Sequence, residues 1–206
     1  MKIIQIQQPE SPAEVLLLEA MYHLRGRVFA DRLGWDVSIE NGLEIDRYDR
    51  LAPLYILAVT PGAEVVGCAR LLPSTGPTML SDTFAELLPP EGLAAHARQV
   101  ESSRFCVDTS RLGGGGPLHE VTRLMLAGIV GCCFVHGFTE VVTATDVMFE
   151  RILRRAGWPL SRIGAPRLIG TTLSIAGKLQ VNQEIFKRLQ PPDSGASLSR
   201  FCMQAA

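Results

Sequence analysis

The stretch Leu54-Tyr55-Ile56-Leu57-Ala58-Val59-Thr60-Pro61-Gly62-Ala63-Glu64-Val65-Val66-Gly67-Cys68-Ala69-Arg70-Leu71-Leu72 decides the fold class. Two apolar runs, Leu54–Thr60 and Glu64–Leu72, flank the turn residues Pro61, Gly62 and Ala63, so the stretch reads as a β-hairpin. One arginine, Arg70, stands at the end of the second run. Toward the N-terminus, Lys2–Ile6 reads as a short strand, broken by Pro9, Ser11 and Pro12. Val15, Leu18, Tyr22, Arg25/Gly26 and Phe29 then follow a helical period, which predicts a helix from Ala13 to about Leu33, stopped by Gly34. Residues 34–53 lack periodicity and read as a charged loop, and loops of that length in compact domains tend to be functional or mobile.

Toward the C-terminus, a short helix is expected near Ser81–Leu88, capped by Ser81 or Asp82 and ended by Pro89 and Pro90. Gln99–Val107 reads as a strand with Glu101 and Arg104 inside it. Gly113–Gly116 is a glycine loop, Pro117 suits the first turn of a buried helix over Leu118–His136, and Gly137 suits its C-terminal cap. Thr139–Thr145 is a strand, and Asp146 caps a helix to about Ala156, closed by Gly157. Strands near Leu160–Ile163 and Thr172–Lys178 and a helix at Val181–Leu189 complete the chain. Hairpins first and strand–helix–strand later predict an α/β fold, a three-layer αβα sandwich with a mixed central sheet. Residues 1–206 read as one domain, with 190–206 a loosely held tail.

Composition narrows the function classes. The chain has 206 residues, 47% hydrophobic and 20% charged, which is globular rather than disordered. Twenty basic against 21 acidic residues give a net charge of −1, which speaks against nucleic-acid binding. No apolar run approaches a membrane span and the N-terminus does not read as a secretory signal, so a cytoplasmic protein is expected. Five cysteines, Cys68, Cys106, Cys132, Cys133 and Cys202, lack Cys-x-x-Cys spacing, and the four histidines are scattered. Reduced, buried thiols and no metal site follow.

Charge placement is more informative than the total. Arg25, Arg70 and Arg104 lie in or beside apolar elements, and a buried charge needs a partner. Asp46, Asp49 and Glu101 match them in number. A network of three arginines and three carboxylates lining a cleft is one reading, and weak surface pairs are the other.

The residues then carry a resemblance. Leu24-Arg25-Gly26-Arg27-Val28-Phe29-Ala30-Asp31-Arg32-Leu33-Gly34-Trp35 resembles the opening motif of the acyl-homoserine-lactone synthases, the autoinducer synthases of bacterial quorum sensing. Glu44-x-Asp46-x-Tyr48-Asp49, Gly67-Cys68-Ala69-Arg70-Leu71-Leu72-Pro73, Gly76-Pro77-Thr78-Met79-Leu80, Phe84 and Glu101-Ser102-Ser103-Arg104-Phe105 continue it in order. Thr143-Ala144-Thr145-Asp146 and Arg155-Ala156-Gly157-Trp158-Pro159 extend it, so that it spans about residues 20 to 180.

The resemblance implies a fold like that of GNAT-type N-acyltransferases. It also implies acyl transfer from an acyl-carrier-protein or coenzyme A thioester to the amine of S-adenosylmethionine, followed by lactonisation and release of methylthioadenosine. S-adenosylmethionine is then a substrate, and no cofactor is required. The amine must lose a proton to attack the thioester. Glu101 is the leading base, although an adjacent arginine would lower its basicity; Glu44, on the loop, is the alternative. Arg70 and Arg104 complete the catalytic set. Arg25, Asp46 and Asp49 are expected to orient the N-terminal loop over S-adenosylmethionine, with Phe29, Trp35, Phe84 and Phe105 along its cleft. Backbone N–H groups near Glu101–Val107 would meet the oxyanion.

Met79, Leu124, Met125, Thr143, Met148, Phe149 and Leu153 are candidates for an acyl pocket, and equally for ordinary core. A threonine at 143 would suit a 3-oxo group. Arg151, Arg154 and Arg155 share one helix face, which suits an acidic carrier. Cys106 as a nucleophile has no histidine near it in sequence. An N-acetyltransferase of the same fold would use an Arg-x-x-Gly-x-Gly/Ala pyrophosphate turn opening a helix; Arg111-Leu112-Gly113-Gly114-Gly115-Gly116 has that spacing, and the run reads here as a glycine loop ahead of Pro117. An inert sensor of S-adenosylmethionine or acyl lactone is the third reading, against which Glu101, Arg70 and Arg104 all stand.

Overall fold

The computed structural model of the chain describes residues 1–108 and 120–190. The expected glycine loop at Gly113–Gly116, the helix-opening Pro117 and the tail from Pro191, with Cys202, lie outside the described residues. Strand β1 (Lys2–Ile6) leads to helix α1 (Pro12–Arg25), the hairpin β2 (Ile39–Glu40) and β3 (Leu43–Glu44), and then β4 (Leu54–Val59) and β5 (Val65–Pro73). Strand β6 (Gln99–Val107), helix α2 (Glu120–Val135), β7 (Glu140–Asp146) and α3 (Val147–Ala156) follow. Short strands β8 (Ser161–Arg162) and β9 (Arg167–Ile169), long β10 (Thr172–Gln180) and α4 (Gln183–Leu189) end the described chain.

One sheet runs in the order β1-β4-β5-β6-β7-β10-β8, with β9 also paired to β10. Every pairing in it is antiparallel except β6 with β7. Alternation along β4 distributes the core. Tyr55, Leu57 and Val59 pack with Met21, Leu24 and Phe29 on the α1 side. Ile56 and Ala58 pack with Met125, Leu126 and Ile129 of α2 on the other side, where Leu153 of α3 and Phe186 of α4 join them. Helices therefore cover both faces of a mixed sheet.

Local chemistry explains most boundaries. Ser11 Oγ accepts from Glu14 N, with Pro12 in the first turn of α1. Asp146 accepts from the amides of Met148 and Phe149, and Gly157, at φ +90°, closes α3. Three expectations need correction. The helix predicted to Leu33 is α-helical only to Arg25, and Gly26–Arg32 continues as wider π turns. At Gly26 the β2–β3 hairpin comes so close that a Cβ would lie 2.9 Å from the Gly42 carbonyl oxygen. The loop of residues 34–53 contains that hairpin and a 3-10 turn at Arg47–Leu51. The helix expected at Ser81–Leu88 is a π turn at Met79–Thr83, capped by Thr78 rather than Ser81 or Asp82, followed by a 3-10 turn at Ala85–Leu87.

Candidate active site

Helix α1 presents Arg25, β5 presents Arg70 and β6 presents Arg104, and their guanidinium groups converge on the segment 44–49. Arg25 donates through Nε to Glu44 Oε2 at 2.5 Å and bidentately to Asp49 at 2.8 and 2.9 Å. Arg70 donates to both oxygens of Asp46, at 2.5 and 3.0 Å, and to Asp49 Oδ1 at 2.8 Å. Arg104 donates to Glu44 Oε1 at 2.9 Å and lies 3.0 Å from Asp46 Oδ2. Three arginines meet three carboxylates, as the charge count suggested, but the third carboxylate is Glu44 and not Glu101.

These are not surface pairs. Arg25, Arg70 and Glu44 are fully buried, so each charge depends on its partners. Asp46 and Arg104 keep some side-chain exposure, 15% and 10%, and form the wet edge of the cluster. Burial alone would raise the Asp49 carboxyl, but the Arg25 hydrogen bond and charge, followed by Arg70, hold it well below the ordinary carboxylate range. Burial, and then Asp49, push the Tyr55 phenol up, which keeps it protonated as a donor to Asp49 Oδ1 at 2.7 Å. Tyr55 carries no signal in the sequence beyond its place in an apolar strand.

Strand β6 is bent where it carries Arg104. Cys68 pairs with Cys106 and Arg70 with Ser103, so Arg104 and Phe105 together oppose Ala69 in a bulge. Arg104 sits at φ +53°, an unfavourable conformation for a residue with a Cβ, and its ties to Glu44 and Asp46 help hold it there. Pairing of β6 with β7 covers only Gln99–Glu101 against Glu140–Val142. Beyond Glu101 the two parallel strands part and leave a cleft flanked by Ser102–Phe105. The sequence showed the strand but neither its bulge nor its splay.

Glu101 lies at the root of that cleft and is almost fully buried. Its carboxylate accepts from the amides of Leu80 at 2.5 Å and Met79 at 3.2 Å. Arginines do not hold it, contrary to the expectation. Burial raises its pKa, and the Leu80 and Met79 amides, Arg70 and Ser103 only partly offset that rise. The expected loss of basicity is thus reversed. Glu44, the alternative base, is sealed between Arg25 and Arg104 rather than free on a loop.

Phe29 is core, and Trp35 stacks on it with ring centroids 5.2 Å apart and planes 5° apart. Arg104 lies 5.4 Å over the Phe29 ring. Phe84 is half-buried between the Leu80/Leu87 and Tyr48/Leu72 clusters. Phe105, Thr143, Phe149 and Leu153 do share an internal cavity, floored by Leu126 and Trp158, with a volume of about 20 Å³. The Phe105 and Phe149 rings, 4.8 Å apart, narrow it. The other acyl candidates do not line it. Met125 packs against Gly67 in the core, and Leu124, half-buried one residue before it, lies outside the lining. Met79 packs with Tyr48 and Leu72, and Met148 is 61% exposed. Helical phase explains Met148, which lies on the outer face of α3. An open groove of about 450 Å³ between Ser74, Ser81, Leu88 and Leu93 has no titratable lining and belongs to neither site.

Arg151, Arg154 and Arg155 are exposed on α3, while Arg162 is tied bidentately to Glu150 at 2.9 and 2.6 Å. Cys106 is buried with its sulfur 3.4 Å from that of Cys68; that contact and burial push its thiol well up, the opposite of an activated nucleophile. Among the described residues all four cysteines are free and buried, no group of three or more His, Cys, Asp or Glu is arranged to hold a metal ion, and no helix is long and apolar enough to cross a membrane.

A family model described as autoinducer synthase matches residues 12–189. A probable acyl-homoserine-lactone synthase of Sinorhizobium fredii is 51% identical over 93% of this chain and 93% of its own length. The solved AHL synthase LasI superposes with a TM-score of 0.79 at 33% identity, covering 91% of this chain and 92% of that one. A coenzyme A-dependent acyl-homoserine lactone synthase, solved with SAM and isopentyl-CoA, gives a TM-score of 0.82 at 25% identity over 91% and 86% of the two chains. A protein of Lactobacillus plantarum described as an N-acetyltransferase shares the fold more distantly, at a TM-score of 0.58 and 19% identity over 88% of this chain and 98% of that one. With the arginine–carboxylate cluster and the splayed sheet already in place, these matches settle membership: the chain belongs to the autoinducer synthase family, the acyl-homoserine-lactone synthases.

Proposed function

We propose that Glu101 is the base with which this chain acylates the amine of S-adenosylmethionine. The observation that carries the reading is the buried Glu101 carboxylate, raised in pKa and held by two backbone amides at the point where β6 and β7 part. Glu101 takes one proton from the substrate ammonium, directly or through a water. The amine attacks the thioester carbonyl, a C–N bond forms, the C–S bond breaks, and the second amine proton leaves with the thiol. The carboxylate oxygen then attacks the γ-carbon and expels neutral methylthioadenosine. Sulfonium and carboxylate charges cancel, so the scheme calls on no cofactor or metal.

Arg104 and Asp46, the wet edge of the cluster, face the substrate carboxylate and ammonium. Arg25, Arg70, Glu44 and Asp49 fix that edge from behind, and Phe29 and Trp35 flank the adenosyl or methionyl part. Backbone N–H groups of the splayed part of β6 meet the oxyanion. The acyl chain enters between Phe105 and Phe149, whose rings part to admit it, with the Thr143 hydroxyl beside its 3-position. Incubation with S-adenosylmethionine and acyl thioesters on both carriers, read by mass spectrometry, yields lactone and methylthioadenosine. Absence of both products with every donor rejects the scheme.

Arg151, Arg154 and Arg155 form the docking face for an acidic acyl-carrier protein, whose acyl group the cleft receives; the phosphates of a coenzyme A donor would meet the same three arginines. Neither nucleic acid nor a membrane takes part, as suits a cytoplasmic enzyme. Reversing all three charges to Glu raises the KM for acyl-carrier donors about tenfold or more and leaves kcat nearly unchanged, since rim charges act mainly on encounter. An unchanged donor KM removes the docking face from the scheme.

A further inference from the structure

The two halves of the site, the arginine–carboxylate cluster and the Glu101 clamp, are built on separate elements. Tyr48 touches both. Its backbone amide donates to Asp46 Oδ1 at 2.8 Å, inside the turn whose capping box is formed by Asp46 and Asp49. Its ring, buried with only 2% exposed, lies against the Arg70 guanidinium at 5.4 Å and packs on Leu72 and Met79.

The hydroxyl points the other way. Arg47 Nη2 donates to Tyr48 Oη at 2.6 Å, so that oxygen acts as an acceptor there. An arginine has no acceptor to offer, so the second hydrogen bond of the phenol is the one it shares with the Thr83 hydroxyl, at 2.7 Å. Thr83 is the last residue of the π turn Met79–Thr83, and the first two residues of that turn supply both amides on Glu101. At the near end, Thr78 and Ser81 close a reciprocal capping box. Tyr48 pins the far end. An isolated five-residue π turn has little stability of its own, so the aim of its amides depends on these two ties.

We propose that Tyr48 is a positioning residue, coupling the placement of Asp46, Asp49 and Arg70 to the hydrogen bonds that set the basicity of Glu101. It touches neither the reacting amine nor the thioester. When the cluster takes its ordered arrangement, the phenol is fixed and the turn holds Glu101; when the tie is lost, the turn relaxes. Fewer amides on a carboxylate raise its pKa. The kinetic consequence rests on Glu101 being the base, whereas the geometric coupling does not.

Amide hydrogen exchange in Tyr48→Phe and Thr83→Val tests the coupling. Exchange at Met79 and Leu80 is expected to quicken about tenfold in both variants while Tyr55–Val59 of β4 keeps its protection. Unchanged protection at Met79 and Leu80 overturns the coupling, whatever the base. The pH profile of kcat/KM tests the consequence: the acidic limb moves to higher pH in both variants, the double variant moves no further than either, and Thr83→Ser, which keeps the hydroxyl, restores the native profile. Lower activity with an unmoved limb would mean a merely structural role and overturns the positioning role. Glu101→Gln runs alongside. Retention of the acidic limb in that variant rejects Glu101 as base, and the exchange data still decide the coupling.

Discussion

Glu101→Gln is expected to lower kcat/KM by about 10²- to 10⁴-fold, the usual contribution of a positioned general base. The amide analogue keeps the size of the side chain and one carbonyl acceptor for the Leu80 or Met79 amide; its NH2 faces the other amide, which costs about 1–3 kcal/mol of stability, so activity is compared at a pH and temperature where the variant is folded. What disappears is the ability to take a proton. Burial raises the native carboxyl above its ordinary value, and the Leu80 and Met79 amides offset only part of that rise. Glu101 works when ionised, so the native rate falls as pH drops through that raised pKa, and the variant loses this limb. Glu44→Gln behaves differently. Glu44 is held between Arg25 and Arg104, so its loss leaves two arginines short of a partner and lowers stability. Steady-state pH profiles of both variants decide between the two carboxylates. A Glu101→Gln enzyme of native activity hands the role elsewhere, and a limb lost only in Glu44→Gln hands it to Glu44.

The sequence made the architecture legible because its signals were local. The Pro61-Gly62-Ala63 turn, the Asp146 cap and the Gly157 stop each fix an element through their nearest neighbours, and β4, β5, β6 and α3 stand where those signals put them. The arginines were legible for a similar reason: a charge inside an apolar run demands a partner. Which partner it takes is a tertiary fact. Glu44 and Glu101 are equally good carboxylates in a sequence, and only the docking of β3 against α1 sends Glu44 to Arg25 and Arg104. The clamp on Glu101 is made of backbone amides, which no side-chain pattern displays. The Thr78-x-x-Ser81 spacing was the available signal for that turn, as a reciprocal polar cap of the Ser/Thr-x-x-polar kind. Met148 was misplaced because hydrophobicity alone does not tell which face of α3 looks outward. The bulge at Arg104 left no trace, since an arginine at φ +53° is held by its partners and not by its own preference.

Asp49→Asn is expected to be the most destabilising single change in the cluster, by about 3–5 kcal/mol, the cost of breaking a buried ion pair from one side. Asp49 accepts from Arg25 twice, from Arg70, from the Tyr55 hydroxyl and from the Asp46 amide. An asparagine offers one acceptor oxygen, carries no charge, and turns an NH2 toward guanidinium groups that also only donate. The pH dependence follows from the same contacts. The folded pKa of Asp49 lies below its unfolded value. Its stabilisation is therefore fully present above the unfolded pKa of about 4 and is lost as pH falls toward the folded value. Glu101 has the opposite sign: its folded pKa is raised, so the folded state binds that proton more tightly than the unfolded chain does. Its contribution is greatest at low pH and is withdrawn as pH rises through the folded pKa. Urea unfolding of wild type, Asp49→Asn and Glu101→Gln between pH 3 and pH 7 separates the two. Asp49→Asn loses stability at neutral pH and flattens the acid slope, whereas Glu101→Gln steepens the net loss toward acid by removing the carboxyl that opposed it. An Asp49→Asn protein that keeps the native acid slope and loses less than about 1 kcal/mol would show that the cluster behaves as surface pairs do. The segment from Glu44 to Asp49 would then be held by its apolar contacts alone.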